Sequence, residues 1–268
     1  MNFENVKNFV IFVGYGKSGT TLVGSLLDAH PNAIVTYEYN VLGVIEENNA
    51  IKREDLFNVL LKKSSKQRNR RKIGDGYTYK VQNGWQGKCE NLKVIGDKKA
   101  GTSTRYLQNN PKLIDKLRKV IGDTGLKVLF VTRNPFDVIS TTYYQQKRKD
   151  NKTRKINRQW QVDGECVDAY FSCCATVKML KEKAIIKPEE LFQVKHEHII
   201  DNPKSKLAEI CNFLELEPEN NYINACTETI YKKPHKSREE IFWSAKNIKK
   251  VAARAKSFDF IAEYAWDN

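Results

Sequence analysis

The chain is 268 residues long, 40% hydrophobic and 29% charged, with a formal net charge of +14. That length accommodates one large α/β domain with a well-buried core, so residues 1–268 read as a single domain. No run approaches the roughly 18 apolar residues of a membrane span, and MNFENVKNFVIFVG is too short and too β-rich for a signal peptide, which argues against a membrane span or export and predicts a cytoplasmic protein.

The positive charge is concentrated. Residues 62–72, KKSSKQRNRRK, contain seven basic side chains and no acid, and residues 147–158 contain seven more against Asp150 alone; together they hold 13 of the 14 net charges. Such clusters mark a nucleic acid, a membrane surface or an anionic small substrate, or are simply solvated loops. Cys89, Cys166, Cys173, Cys174, Cys211 and Cys226 form no CxxC pair and have no histidine in zinc register, so they read as buried thiols and no metal is expected.

Phe9 to Val13 is a continuous apolar run, as a central parallel strand covered on both faces requires. A glycine-rich turn follows, and Thr20 to His30 then sets Leu22, Leu26 and Leu27 on one helical face before Pro31 stops it. Ala33 to Thr36 reads as a strand, and Val41 to Glu47 and Glu54 to Leu61 as helices. Residues 76–88, GYTYKVQNGWQGK, predict a hairpin or irregular flap turning at Asn83 and Gly84. Val94 to Gly96 is a short strand, Thr104 to Val120 a helical stretch interrupted at Pro111, and Leu126 to Thr132 the strongest strand pattern of all. Asn134 caps the next helix, with Pro135 in its first position and Asp137 in its first turn, and this helix runs to about Arg148. A helix over Val167 to Lys183, a strand over 192–196, a helix from Pro203 to Leu214 and a helical part from Ser244 onward follow. Alternating strands and helices predict an α/β fold around a parallel sheet.

The turn Gly14-Tyr15-Gly16-Lys17-Ser18-Gly19-Thr20-Thr21 joins the first strand to a helix N-terminus. Successive backbone N–H groups backed by the positive end of a helix dipole make an anion site. The pattern is close to Walker A, GxxxxGK[ST], but Thr20 stands where a nucleoside triphosphatase has its lysine, and Lys17 lies inside the loop instead. The strand 126–132 leads into Arg133 rather than a magnesium-binding aspartate, which counts against the alternative of a P-loop kinase. A nucleic-acid-binding protein needs no such loop. Ligands of open parallel sheets bind at the C-terminal strand edge, so Lys17 and Arg133 could face one molecule with two separated anionic groups.

Residues 17–32, KSGTTLVGSLLDAHPN, resemble the 5'-phosphosulfate loop of the sulfotransferase family, and residues 128–144, VLFVTRNPFDVISTTYY, resemble its 3'-phosphate motif. NGWQGK and KVIGDKKAG are similar to a subgroup of bacterial sulfotransferases, and residues 192–216 to the family's late strand–helix unit, so the resemblance extends from about Phe9 to Tyr264. It implies a P-loop-containing three-layer α/β/α fold with a central parallel sheet. It also implies transfer of a sulfuryl group from 3'-phosphoadenosine 5'-phosphosulfate (PAPS) to an acceptor hydroxyl, leaving PAP, with no metal required.

By matching position, the resemblance implies that Lys17, Ser18, Gly19, Thr20 and Thr21 hold the 5'-phosphosulfate and that Arg133 binds the 3'-phosphate. The family's serine partner falls at Thr141, with Ser140 adjacent, and His196 stands where relatives often offer a tyrosine near the nucleotide. The glycine-rich motif that closes the 3'-phosphate site in cytosolic animal sulfotransferases is absent, leaving Lys232, Lys233, Lys236 and Arg238 as substitutes. Sulfuryl transfer needs charge stabilisation and is helped by a base. Glu38 matches the catalytic glutamate of tyrosylprotein sulfotransferases, which share the arrangement His30-Pro31 and Glu38, and Lys98 matches their charge-stabilising lysine, with Lys99 an alternative. His30 reads as a helix-end packing residue, though it and His196 are the next candidates for the base. Tyr77 and Trp85 read either as lining of an acceptor or adenine pocket or as packing.

Overall fold

The computed structural model describes residues 3–48, 50–67, 79–153 and 155–267. The sheet is wholly parallel, in the order β2-β3-β1-β4-β5, built from β1 (Asn8–Val13), β2 (Ala33–Tyr37), β3 (Val94–Lys98), β4 (Gly125–Thr132) and β5 (Leu191–Lys195). All of β1 is buried. Its alternate side chains part to opposite faces, as the strand period demands: Phe9, Ile11 and Val13 enter one core, Val10 and Phe12 the other. The same alternation divides β4, with Val128 and Phe130 on the first side and Leu129 and Val131 on the second.

Helices cover both faces. The Val10 side is packed by α1 (Thr20–Leu27), α9 (Pro203–Phe213) and α10 (Asn220–Thr229), through Leu22, Leu26, Leu207, Ile210, Tyr222 and Cys226. The Phe9 side is packed chiefly by α2 (Val41–Glu47), α3 (Arg53–Gln67), α4 (Ala100–Asn109), α5 (Leu113–Ile121), α6 (Pro135–Asp150), α7 (Gly164–Glu182) and α11 (Ala245–Ala255). α8 (His196–Asp201) follows β5 directly. The result is the expected three-layer α/β/α fold. Among the described residues no helix is long and apolar enough to cross a membrane.

Three elements depart from the sequence pattern, and a fourth stretch takes one of its two readings. β3 runs to Lys98 because Asp97 and Lys98, polar residues that read as a loop, are both 3% exposed within the sheet. The late strand stops at Lys195, and His196 opens α8. α10 was not anticipated. Residues 79–93 take the irregular alternative to the hairpin, turning at Asn83 and Gly84, and the Gln86 side chain takes the place of a partner strand: it accepts the Val81 N–H at 3.1 Å and donates to the Tyr79 and Ser25 carbonyls. Residues 76–78 of the expected hairpin lie outside the described residues, as do 68–72 of the first basic run and Arg154 of the second.

Because the strands are parallel and in register, all five end at one edge, where Tyr37 pairs with Lys98 and Thr132 with Lys195. The residues that follow them are Gly14, Glu38, Lys99, Arg133 and His196. The chain leaves β1 toward β2 on one side and β4 toward β5 on the other, so the ends of β1 and β4 diverge where a ligand crevice is expected.

Candidate active site

The loop after β1 is shaped by two left-handed residues, Lys17 (φ 71) and Gly19 (φ 93), the second being the N-cap of α1. Only glycine fits there, since a Cβ would lie 2.3 Å from His196 Nδ1. Thr104 of α4 anchors the start of the loop by accepting the Gly14 N–H at 2.8 Å, and the Ser18 hydroxyl donates to the Tyr15 carbonyl at 3.0 Å. The first amides of α1 have no carbonyl within the helix to bond, which leaves them for an anion. Burial pushes the Lys17 ammonium below its usual pKa; Lys149, near the end of α6, adds to the effect and Glu38 opposes it.

Glu38 stands at the adjacent strand end. Its carboxylate is bonded to Lys98, and Lys99 Nζ lies 3.1 Å from its other oxygen. Lys98 Nζ also donates to Thr21 Oγ1 of α1 at 3.1 Å and lies 4.0 Å from the Tyr37 ring centroid. One ammonium therefore joins the anion loop to the carboxylate. Gly24 of α1 makes room for the lysine stem, since a Cβ there would meet Lys98 Cγ at 2.9 Å. Burial alone would raise the Glu38 carboxyl, but Lys98 and Lys99 outweigh it and hold the group below the ordinary carboxylate range. Burial pushes Lys98 down, with Glu38 resisting.

Sequence reasoning missed Asp97. Its carboxylate accepts the N–H groups of Tyr39 at 2.9 Å, Asn40 at 2.7 Å and Val41 at 3.2 Å, closing the turn that carries Glu38. Burial pushes the Asp97 carboxyl up while these three donors oppose it. The only signal in the sequence was its place beside Lys98.

On the other side of the loop Arg133 is 8% exposed. It donates to the Lys17 carbonyl at 3.2 Å and to the His235 carbonyl, while its Nε, like His196 Nδ1, is buried without a partner among the described residues. Burial and the nearby Arg133 push His196 down to about 3, so the ring is neutral. Buried polar atoms left unpaired cost about 1–3 kcal/mol each, and an anionic ligand beside Arg133 fits them. Asn134 caps α6 as predicted, accepting the Phe136 N–H at 3.0 Å, and Glu197 accepts the Asn134 N–H at 2.9 Å.

The two hydroxyls that follow are not equivalent. Ser140 accepts the Trp243 indole N–H at 2.8 Å, whereas Thr141 bonds the Ser237 hydroxyl at 2.8 Å, in the segment that also supplies the His235 carbonyl to Arg133. Arg238 does not serve as a free cation: it is 2% exposed and bonds Asp137 at 2.7 Å. Its basic character had suggested a phosphate ligand, but its partner is an aspartate from the first turn of α6.

Two candidates lie elsewhere. His30 is at the far end of α1, where Nδ1 accepts the Asn32 N–H at 3.0 Å and Nε2 therefore donates to the Glu217 carbonyl at 2.9 Å. Both ring nitrogens are committed, so His30 is a packing residue and not a base. The Trp85 backbone N–H donates to the Ala29 carbonyl at 3.0 Å, which sets this residue at the same end of α1. Tyr77 lies outside the described residues.

A family model described as the sulfotransferase domain matches residues 7–259. Among solved structures, the chain is similar to a sulfotransferase from Alicyclobacillus acidocaldarius, at 15% identity over 98% of this chain and 99% of that one, with a TM-score of 0.55. It is also similar to sulfotransferase STF9 from Mycobacterium avium, at 11% identity over 95% of this chain and 77% of that one, with a TM-score of 0.51. At these identities the structural likeness speaks to the fold alone. No curated protein matches the sequence.

Proposed function

The chain belongs to the sulfotransferase family and transfers a sulfuryl group from PAPS, and on that premise we propose which of its residues carry the reaction. Lys17, Ser18, Gly19, Thr20 and Thr21 hold the 5'-phosphosulfate against the start of α1, and Arg133 with Thr141 takes the 3'-phosphate. His196 lies against the loop as a neutral contact. Neutralisation by Lys17, Lys98, Lys99 and Arg133 makes a divalent metal unnecessary for binding.

Glu38 is the general base for an acceptor hydroxyl. As the bond from the acceptor oxygen to sulfur forms, the proton passes to Glu38, and the bond from sulfur to the 5'-phosphate oxygen breaks. Lys98 and Lys17 meet the negative charge that gathers on that oxygen. The observation that carries this reading is Lys98, whose single ammonium bonds both Thr21 of the anion loop and Glu38. The Glu38 side chain is 37% exposed, which leaves it open to an acceptor.

The test is single-turnover transfer from labelled PAPS to an acceptor chosen by screening carbohydrate, alcohol, phenol and peptide hydroxyls. Glu38→Gln should lower the rate by about 10²- to 10⁴-fold while PAP affinity holds. Near-normal transfer by that variant would contradict the assignment.

A further inference from the structure

The turn that delivers Glu38 is one that L residues resist. Glu38 (φ 57) and Asn40 (φ 74) both occupy the left-handed region, two strained positions within three residues. What stabilises this conformation is distant in sequence. The Asp97 carboxylate, 3% exposed, accepts the Tyr39 N–H on Oδ1 and the Asn40 and Val41 N–H groups on Oδ2. Asp97 is itself immobilised, since β3 is flanked by β1 and β2 and Asp97 pairs with Ile11 on one side and Thr36 on the other. The next residue along the strand is Lys98, whose carbonyl accepts the Glu38 N–H at 3.1 Å and whose ammonium meets the Glu38 carboxylate. Successive side chains of a strand face opposite ways, so Asp97 and Lys98 fasten the turn from both faces of the sheet.

We propose that Asp97 is the positioning residue for Glu38, holding the 38–41 turn so that the Glu38 carboxylate stands against Lys98 and Lys99 and open to the acceptor. The inference rests on Glu38 being the base. Asp97 touches neither donor nor acceptor; it acts through the backbone. In Asp97→Asn an amide NH₂ replaces one acceptor oxygen, so either Tyr39 or the Asn40–Val41 pair loses its acceptor and the turn relaxes. Misplacement of a reacting group by an ångström lowers a rate by about 10²-fold.

The experiment is a double-mutant cycle in single-turnover transfer, with PAP affinity measured alongside. Asp97→Asn should slow transfer about 10²-fold at saturating donor and leave PAP affinity at the parent value. Added to Glu38→Gln it should slow transfer no further, because the group it positions is already gone. Asp97→Asn with parental transfer, or with an equal loss in both backgrounds, would overturn the inference while leaving Glu38 as base. Near-normal transfer by Glu38→Gln alone would overturn both. Should Asp97→Asn fail to fold, Asn40→Ala burdens the same left-handed turn with Asp97 intact, and the same pattern is expected: slower transfer in the parent and no further loss in the Glu38→Gln background. Equal losses in the two backgrounds would overturn the inference there too.

Discussion

Glu38 and Lys98 depend on one another for their ionisation, and with Glu38 as the proposed base that coupling should set the pH range of transfer. On the proposed mechanism, transfer needs Glu38 ionised and Lys98 protonated. The lysines hold Glu38 below the usual 4.5, so the acid limb of kcat/KM should fall at lower pH than an ordinary glutamate gives. Burial brings Lys98 below the usual 10.5, so the alkaline limb should begin earlier than an ordinary lysine gives. Glu38 opposes that shift. Removing its charge in Glu38→Gln should therefore move the alkaline limb of the residual rate to still lower pH and abolish the acid limb. A pH–rate profile of parent and variant checks both; an alkaline limb that stays in place would separate Lys98 from the reaction.

At the scale of elements, the donor side depends on how α6 is joined to the segment after α10. Asp137 and Arg238 form an ion pair that is almost wholly buried, and Thr141 bonds Ser237 beside it. That junction fixes the segment whose His235 carbonyl holds Arg133. Asp137→Asn would leave the Arg238 charge buried with a weaker partner, and unfolding in denaturant should show a loss approaching the roughly 3–5 kcal/mol of a broken buried pair. PAP affinity should fall with it as Arg133 loses its brace. Parental stability would contradict this account of Arg238. The sequence could not reveal this junction, because a basic residue between 232 and 238 looks free until its partner, a hundred positions away, is in place. Apolar runs and the Asn134-Pro135 helix start made β1, β4 and α6 legible. β3 was read short because Asp97 and Lys98 look like loop residues, and the sequence left hairpin and irregular flap open because only the fold shows the Gln86 amide doing what a second strand would have done.

For the whole molecule, the parallel sheet converts five separate strand ends into one site. Gly14, Glu38, Lys99, Arg133 and His196 lie far apart in sequence and meet because the strands share a direction and a register. Motifs alone singled out Lys17, Glu38, Lys98 and Arg133, and the fold sets all four at one sheet edge, while the separate environments of Ser140 and Thr141 and the commitment of His30 to the far end of α1 needed the fold. On the proposed function this edge binds the nucleotide through its own cations, the 5' group on the loop and the 3' group at Arg133. Calorimetry with PAP in the presence of EDTA is the decisive measurement. Binding should persist without divalent metal and weaken in both Lys17→Ala and Arg133→Ala. Binding that is lost in EDTA and restored by magnesium, or that is unaffected by Arg133→Ala, would contradict it.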